Sequence, residues 1–352
     1  MATPADPGGE LSGLILSRSG LDRASHRRGD EAWLTRAWAA DTTRVLVLDG
    51  AQALVTFRAA AAGTGPGADL AAADGSGGPD GSAGADGPAG AALVLVPTSQ
   101  APEGIRFLLG VDDAGVVYFA VAGAKGGLGA GPLPPPGSSP PPAGAGVRAA
   151  GLRQAAALLS DRDAGMLTQA VALANWHATH THCPRCGAPT VPEQAGHSRR
   201  CPADKSEHFP RVDPAAIMLV TDDQDRCLLA RNNQWPPHRV SILAGFVEPG
   251  ESAEQTVLRE VGEETGLVVD SVRYVGSQPW PMPQSLMLGF RARARGPQQI
   301  QVDEHEIAEA HWYSRDELRA AVAAREVLLP PPVSIAHRII ESWFGEPLPG
   351  SW

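Results

Sequence analysis

An α+β fold is predicted for this chain, and three observations predict it. Short apolar and β-branched runs bounded by turn residues crowd the first third, a Cys-x2-Cys knuckle follows, and a capped helix lies between strand-like runs in the last third. Four parts result: a small N-terminal β-rich domain over 1–148, a connecting helix over 149–180, a cysteine-bearing ribbon-like segment over 181–210, and a larger α/β domain over 211–345.

Length and composition set the outer limits. At 352 residues the chain has room for two domains, while 40 Gly and 32 Pro mean that part of it cannot join a packed core. A formal net charge of -10 argues against broad non-specific nucleic-acid binding and leaves only local recognition of a nucleotide end. No apolar run approaches the roughly 18 residues needed to span a bilayer, and Met1 to Pro7 offer neither a basic nor an apolar leader. A cytoplasmic protein with no membrane partner is therefore expected.

In chain order, residues 44–48, 53–57, 92–96, 105–109 and 115–121 read as strands of a small sheet. Two low-complexity stretches, near 61–91 and 123–147, are expected to be disordered insertions, because Gly, Ala, Asp, Pro and Ser bury too little apolar surface to offset ordering entropy. The polar cluster Leu21, Asp22, Arg23, Arg27, Arg28 and Asp30 reads as a solvated loop. From 149 to 180 the pattern is helical, with Ser160 as a cap and Leu167, Val171 and Ala174 on one stripe.

Cys183, Cys186 and Cys201 supply three thiolates of a tetrahedral Zn2+ site, as expected of a knuckle in a reducing compartment. Ser206 stands where a fourth cysteine would fall, which leaves Asp204, His208 and His197 as candidates. A ribbon that has lost its ion is the alternative. Cys227 reads as a buried strand residue.

Ala215 to Val220 and Arg226 to Ala230 read as strands around the turn at 222–225, and Ser241 to Phe246 leads into the stretch 245–267. There Ser252 with Gln255 forms a capping-box pattern and Gly266 a left-handed C-cap, so a helix is predicted over 253–265. Glu260, Glu263 and Glu264 share one face at i, i+3, i+4, and Val257, Leu258 and Val261 occupy the neighbouring arc. Uncompensated like charges at this spacing repel, and hard Mg2+ or Mn2+ would reverse that sign. A bare acidic run would more often be a solvated face.

Downstream, Ser277 to Ser285 places three prolines around Trp280 and reads as a rigid exposed loop in which Gln278, Trp280, Gln284 and Ser285 can present stacking and hydrogen-bonding groups. Arg291, Arg293 and Arg295 alternate along a strand, as a phosphate track or a solvated strand edge. Residues 302–307 form a second acidic patch, and helices over 316–324 and 335–343 close the domain.

Gly245, Glu251, Arg259, Glu260, Val261, Glu263, Glu264, Gly266 and Leu267 stand at the spacing of the Nudix box, which this stretch resembles at every fixed position. The motif Ser277-Gln-Pro-Trp-Pro-Met-Pro-Gln-Ser285 is similar to the signature of the NADH pyrophosphatase branch of that family, with Met282 where Phe is often found. The similarity runs from about 151 to 345.

The resemblance implies an α/β/α sandwich with a mixed sheet behind a zinc ribbon. It also implies a metal-dependent pyrophosphatase that splits NAD(H) into NMN(H) and AMP and removes NAD caps from RNA 5′ ends. On that reading Glu260, Glu264, Glu306 and the Ala244 carbonyl hold Mg2+ or Mn2+, Glu263 assists, and Arg259 with Glu251 orients the ridge. Phe209, Phe246, Gln278, Pro279, Trp280, Pro281, Met282, Pro283, Gln284, Ser285 and Ala336 would meet the dinucleotide, in an enzyme expected to be a homodimer. Alternatives are a hydrolase of ADP-ribose or another nucleoside-diphosphate derivative, and a non-catalytic NAD sensor.

Overall fold

The computed structural model describes residues 9–58, 90–123 and 146–349. Two compact units divide them, one centred on the N-terminal sheet and one on the C-terminal sheet, with the segment ending at Arg18 belonging to the second. Most of the two low-complexity stretches expected to be insertions lies outside the described residues.

The first unit holds strands β1 (Arg44–Asp49), β2 (Gln52–Phe57), β3 (Ala91–Leu93), β4 (Leu95–Val96), β5 (Gly104–Val111), β6 (Val117–Gly123) and β7 (Gly146–Gly151) in one sheet of order β3-β2-β1-β6-β5. Strand β7 pairs with β2, from Phe57 opposite Gly146 to Gln52 opposite Gly151. This corrects the expectation at 146–151, which assigned part of the strand to an insertion and part to a helix. Gly-Val-Arg-Ala-Ala-Gly has little strand propensity of its own, and pairing with a distant partner decides its conformation.

Helix α1 (Glu31–Ala39) is capped by Asp30, whose carboxylate accepts from Trp33 N at 2.9 Å. The connector is interrupted: a short α2 (Leu152–Ala155) precedes α3 (Asp161–Thr179), and Ser160 Oγ accepts from Asp163 N at 3.2 Å as the predicted cap. The expected stripe Leu167, Val171 and Ala174 is buried. The ribbon follows as β8 (Val191–Glu193), β9 (Ser198–Arg200) and β10 (Glu207–His208).

The second unit contains β11 (Asp213–Thr221), β12 (Cys227–Asn232), β13 (Leu243–Phe246), α4 (Ala253–Thr265), β14 (Val269–Trp280), β15 (Ser285–Ala294), β16 (Ile307–Tyr313), α5 (Arg315–Ala323) and α6 (Ile335–Phe344). Its sheet runs β14-β15-β11-β12-β16 with β13 on β11, and the parallel β11–β15 pairing among antiparallel neighbours makes it mixed.

Strand β11 explains the sandwich. Ala216, Met218 and Val220 pack with Val257 and Val261 of α4, while Ile217 and Leu219 pack with Ile335, Ile339 and Ile340 of α6. A strand covered on both faces reads as a continuous apolar run, and residues 215–220 are one. Leu258 departs from the expected apolar arc: one residue past Val257, it turns about 100° away and is exposed.

Candidate active site

The spaced carboxylates sit on α4, whose ends are those predicted. Ser252 Oγ accepts from Gln255 N at 3.2 Å, Ser252 N donates to Gln255 Oε1 at 2.8 Å, and Gly266 closes the helix at φ 69°.

Arg259 organises the ridge. Its Nε donates to Glu251 Oε1 at 2.7 Å, its Nη1 to Glu260 Oε1 at 2.8 Å and to Glu263 Oε2 at 3.0 Å, and its Nη2 to Glu251 Oε2 at 3.0 Å and to the Phe246 carbonyl at 2.9 Å. One planar fork thus joins β13, the loop before α4 and α4 itself, which the point charge of a lysine cannot do. Bonding to Arg259 holds the Glu251 carboxyl down to about 2. Thr256, absent from the expected set, donates its hydroxyl to Glu251 Oε2 at 2.9 Å. A hydroxyl five residues after the loop glutamate, within the next helical turn, was the available signal.

The acidic face divides by burial. Glu263 points outward and is 61 % exposed, whereas Glu260 and Glu264, one helical turn apart, are buried at 9 % and 6 %. Burial, then the charges of Glu260, Glu306 and Glu263, pushes the Glu264 carboxyl up to about 8. Burial also raises Glu260 against the pull of Arg259, with Glu263 and Glu306 adding repulsion. Glu264 Oε2 is buried without a hydrogen-bond partner, a costly state for a polar oxygen. Gly245 leaves no room beside Glu260: a Cβ there would lie 1.8 Å from Glu260 Oε1. An orphaned carboxylate oxygen, a repelled acidic pair and a bare backbone beside them fit a hard divalent cation.

Glu306 reaches the same field from an exposed loop. Asp303 N donates to the Glu264 carbonyl at 3.1 Å and Asn233 N to the Glu306 carbonyl at 2.9 Å, while Asn233 Nδ2 donates to the Glu304 carbonyl at 2.7 Å. Asn233 was not among the expected residues, because its partners lie some seventy positions away.

The other expected contacts separate into two groups. Phe209 and Phe246 are exposed at 67 % and 60 %, and Ala244 is exposed on β13. Residues 277–280 are not an exposed loop but the end of β14, and only 281–284 form the turn to β15. Within that hairpin Gln284 Nε2 donates to Asp213 Oδ2 at 2.8 Å, and Pro281 is buried while Pro283 is exposed. Gln278 is fully buried, and so is Ala336, whose side chain joins the core cluster of α6. Neither side chain faces solvent, unlike the exposed loop that the composition around Gln278 predicts. Their burial follows from partners distant in sequence. Of the three alternating arginines, Arg291 and Arg293 lie on β15, which has neighbours on both sides and so is not a strand edge, and Arg295 follows its last residue. Arg291 donates to Ser342 Oγ at 2.7 Å and Arg293 pairs with Asp223 at 3.0 Å.

In the ribbon, the ligand atoms of Cys183, Cys186, Cys201 and Asp204 lie within 4.8 Å of one another. The backbone N–H groups of Arg185 and Asp204 donate to the Cys183 and Cys201 sulfurs at 3.4 Å. Three thiolates and a carboxylate fit Zn2+. His197, one of the alternatives, instead bonds the Leu108 carbonyl through Nε2 at 2.7 Å. Among the described residues no helix is long and apolar enough to cross a membrane.

Three family models match the chain in succession. They are the NADH pyrophosphatase-like rudimentary NUDIX domain over 42–176, the NADH pyrophosphatase zinc ribbon domain over 178–209 and the NUDIX domain over 211–330. The chain is 48 % identical over 205 residues to the NAD-capped RNA hydrolase NudC of Mycobacterium bovis, a match spanning 56 % of this chain and 66 % of that protein. It is 40 % identical over 197 residues to the NAD-capped RNA hydrolase NUDT12 of Pongo abelii, spanning 53 % of this chain and 42 % of that protein. The chain thus spans just under two-thirds of the length of the mycobacterial relative. With all three segments in order and the carboxylate ridge built as its spacing requires, the chain belongs to the Nudix family, in the NADH pyrophosphatase branch that carries a zinc ribbon.

Proposed function

We propose that the chain hydrolyses the diphosphate of NAD(H) to NMN(H) and AMP and removes NAD caps from RNA 5′ ends. The observation that carries the hydrolase reading is the buried pair Glu260 and Glu264 with an unpartnered Glu264 oxygen. Similarity to the NAD-capped RNA hydrolases supports the choice of substrate.

Glu260, Glu264 and Glu306 with the Ala244 carbonyl would hold Mg2+ or Mn2+, which supplies charge neutralisation for the diphosphate and a lowered pKa for a bound water. The rest falls to the chain. Arg259 keeps Glu260 and Glu263 on one ridge and spends its remaining bonds on Glu251 and Phe246, so the ridge is formed before substrate arrives. Phe246 and Phe209 offer exposed rings for stacking on nicotinamide or adenine, and Gln284 of the 281–284 turn with Ser285 at the start of β15 is offered to the dinucleotide. A carboxylate of the ridge accepts the proton from the attacking water. A homodimer in the cytoplasm is part of the same reading.

The deciding experiment offers pure protein NADH, NAD-capped RNA and ADP-ribose in competition with Mn2+. Cleavage of NADH or capped RNA ahead of ADP-ribose supports the proposal. Preference for ADP-ribose would move the chain to the broader nucleoside-diphosphate hydrolases, and binding without turnover would make it a sensor.

The raised Glu264 carboxyl gives a pH dependence. A carboxyl lifted from 4.5 to about 8 contributes stability below its unfolded value that is lost as pH rises through the folded one. Metal-free protein is therefore expected to lose thermal stability between about pH 5 and 8, and added Mg2+ should restore it most at the alkaline end. Apparent metal affinity should climb by about tenfold per pH unit through that window and level off above about pH 8, since the ion displaces a proton that the carboxyl then no longer carries. Thermal unfolding with chelator or metal across pH checks both.

For the ribbon, Asp204→Ala is expected to weaken zinc retention by about tenfold or more, while His208→Ala leaves it unchanged. Metal content after dialysis against a graded chelator measures it.

A further inference from the structure

The described residues before Arg18 precede all three matched segments, yet they belong to the compact unit of the C-terminal sheet. They lie along β14, an edge strand whose free backbone would otherwise face solvent. Leu11 N donates to the Val275 carbonyl at 2.6 Å, and Ser17 Oγ donates to the Ser277 carbonyl at 2.8 Å. Leu14 enters the core with Val275, Ile335 and Ile339. A β-bulge between Tyr274 and Gly276 lies beneath this segment: a Cβ on Gly276 would come within 3.4 Å of Leu14.

Gln278 occupies the centre of that arrangement. Its Oε1 accepts from Leu16 N at 3.3 Å and its Nε2 donates to the Val333 carbonyl at 3.0 Å, positions 262 and 55 residues away. One buried amide therefore joins the N-terminal segment, the strand that carries the hairpin, and the turn that leads into α6. Both of its ends are occupied by backbone groups, so it serves the site through its neighbours.

We propose that Leu11–Ser17 is a strap that holds the β14–β15 hairpin in its substrate-binding position, with Gln278 as the positioning residue that couples strap, hairpin and the 330–334 turn. The proposal rests on the dinucleotide reading above only for what the hairpin binds. It differs from a general stabilising role because the hairpin is the part that would loosen, while α4 and its carboxylates stay in place.

The test uses the full chain with Gln278→Met, which keeps an unbranched side chain of similar size and removes both bonds. The expected result is a KM for NADH raised about tenfold with kcat changed by less than about threefold, because loss of the clamp weakens binding and leaves the ridge intact. Amide exchange should accelerate at 277–285 and 331–335 and remain unchanged in α4. Ser17→Ala, at an exposed position, should shift KM in the same direction by about threefold and decides the matter if Gln278→Met does not fold. An unchanged KM with kcat falling in step with the folded fraction, or exchange rising evenly over the C-terminal sheet, overturns the strap. If the unaltered protein cleaves no dinucleotide, the functional reading fails, and the exchange pattern alone judges the strap.

Discussion

Glu264→Gln is expected to lower turnover of the diphosphate by more than roughly 100-fold, beyond what loss of a supporting partner usually costs. The substitution keeps the shape of the side chain and removes a buried charge whose Oε2 has no hydrogen-bond donor. Burial and its neighbours Glu260, Glu306 and Glu263 also lift the Glu264 carboxyl to about 8. Its neutral replacement should therefore flatten the pH dependence of metal-free stability and shrink the shift in melting temperature produced by Mg2+. Single-turnover kinetics with Mn2+ and thermal unfolding with and without metal measure the two effects separately. Turnover within tenfold of the unaltered protein would remove Glu264 from the reaction. Retained dinucleotide affinity with lost turnover is the pattern of a hydrolase whose binding surfaces lie elsewhere.

Much of this site could be read from the sequence, and the reason is locality. The bounds of α4 follow from Ser252, Gln255 and Gly266, which act within one turn of each helix end, and the ridge follows from helical spacing alone. The three cysteines are likewise gathered by a short knuckle and one return strand. Spacing did not reveal how burial divides the glutamates: Glu263 faces solvent and Arg259, while Glu260 lies against Gly245 of β13 and Glu264 is buried, because the sheet lies on one side of the helix only. The departures from the expected local structure lie where conformation depends on distant partners. β7 exists because β2 pairs with it, Gln278 is buried by Leu16 and Val333, and Ala336 is buried by the sheet beneath α6. Composition around three prolines suggested an exposed loop at 277–285, and an edge strand covered by the N-terminal segment overrode it.

Gly245→Ala should disable the site with little effect on the fold. Gly245 lies on β13 opposite Ala216 of β11, and the space where its side chain would stand is filled by the Glu260 carboxylate, with Cδ at 1.9 Å and Oε2 at 2.5 Å from the added carbon. Those distances are far inside van der Waals contact, so one group must move. The carboxylate is the end of a flexible side chain and will yield before the β11–β13 ladder does. Displacing it by an ångström or more breaks the Arg259–Glu260 bond of 2.8 Å and moves one of the two buried carboxylates away from the other. Misplacement on that scale costs about 100-fold in rate even where every chemical group is retained. The expected result is turnover down about 100-fold or more, weaker metal binding, and a melting temperature within a few degrees of the unaltered chain in chelator. A second-site change that shortens the displaced side chain, Glu260→Asp, should recover part of the metal binding in the Gly245→Ala background, although alone it weakens it. If Gly245→Ala keeps full activity, the close packing of strand β13 against Glu260 has no part in forming the site.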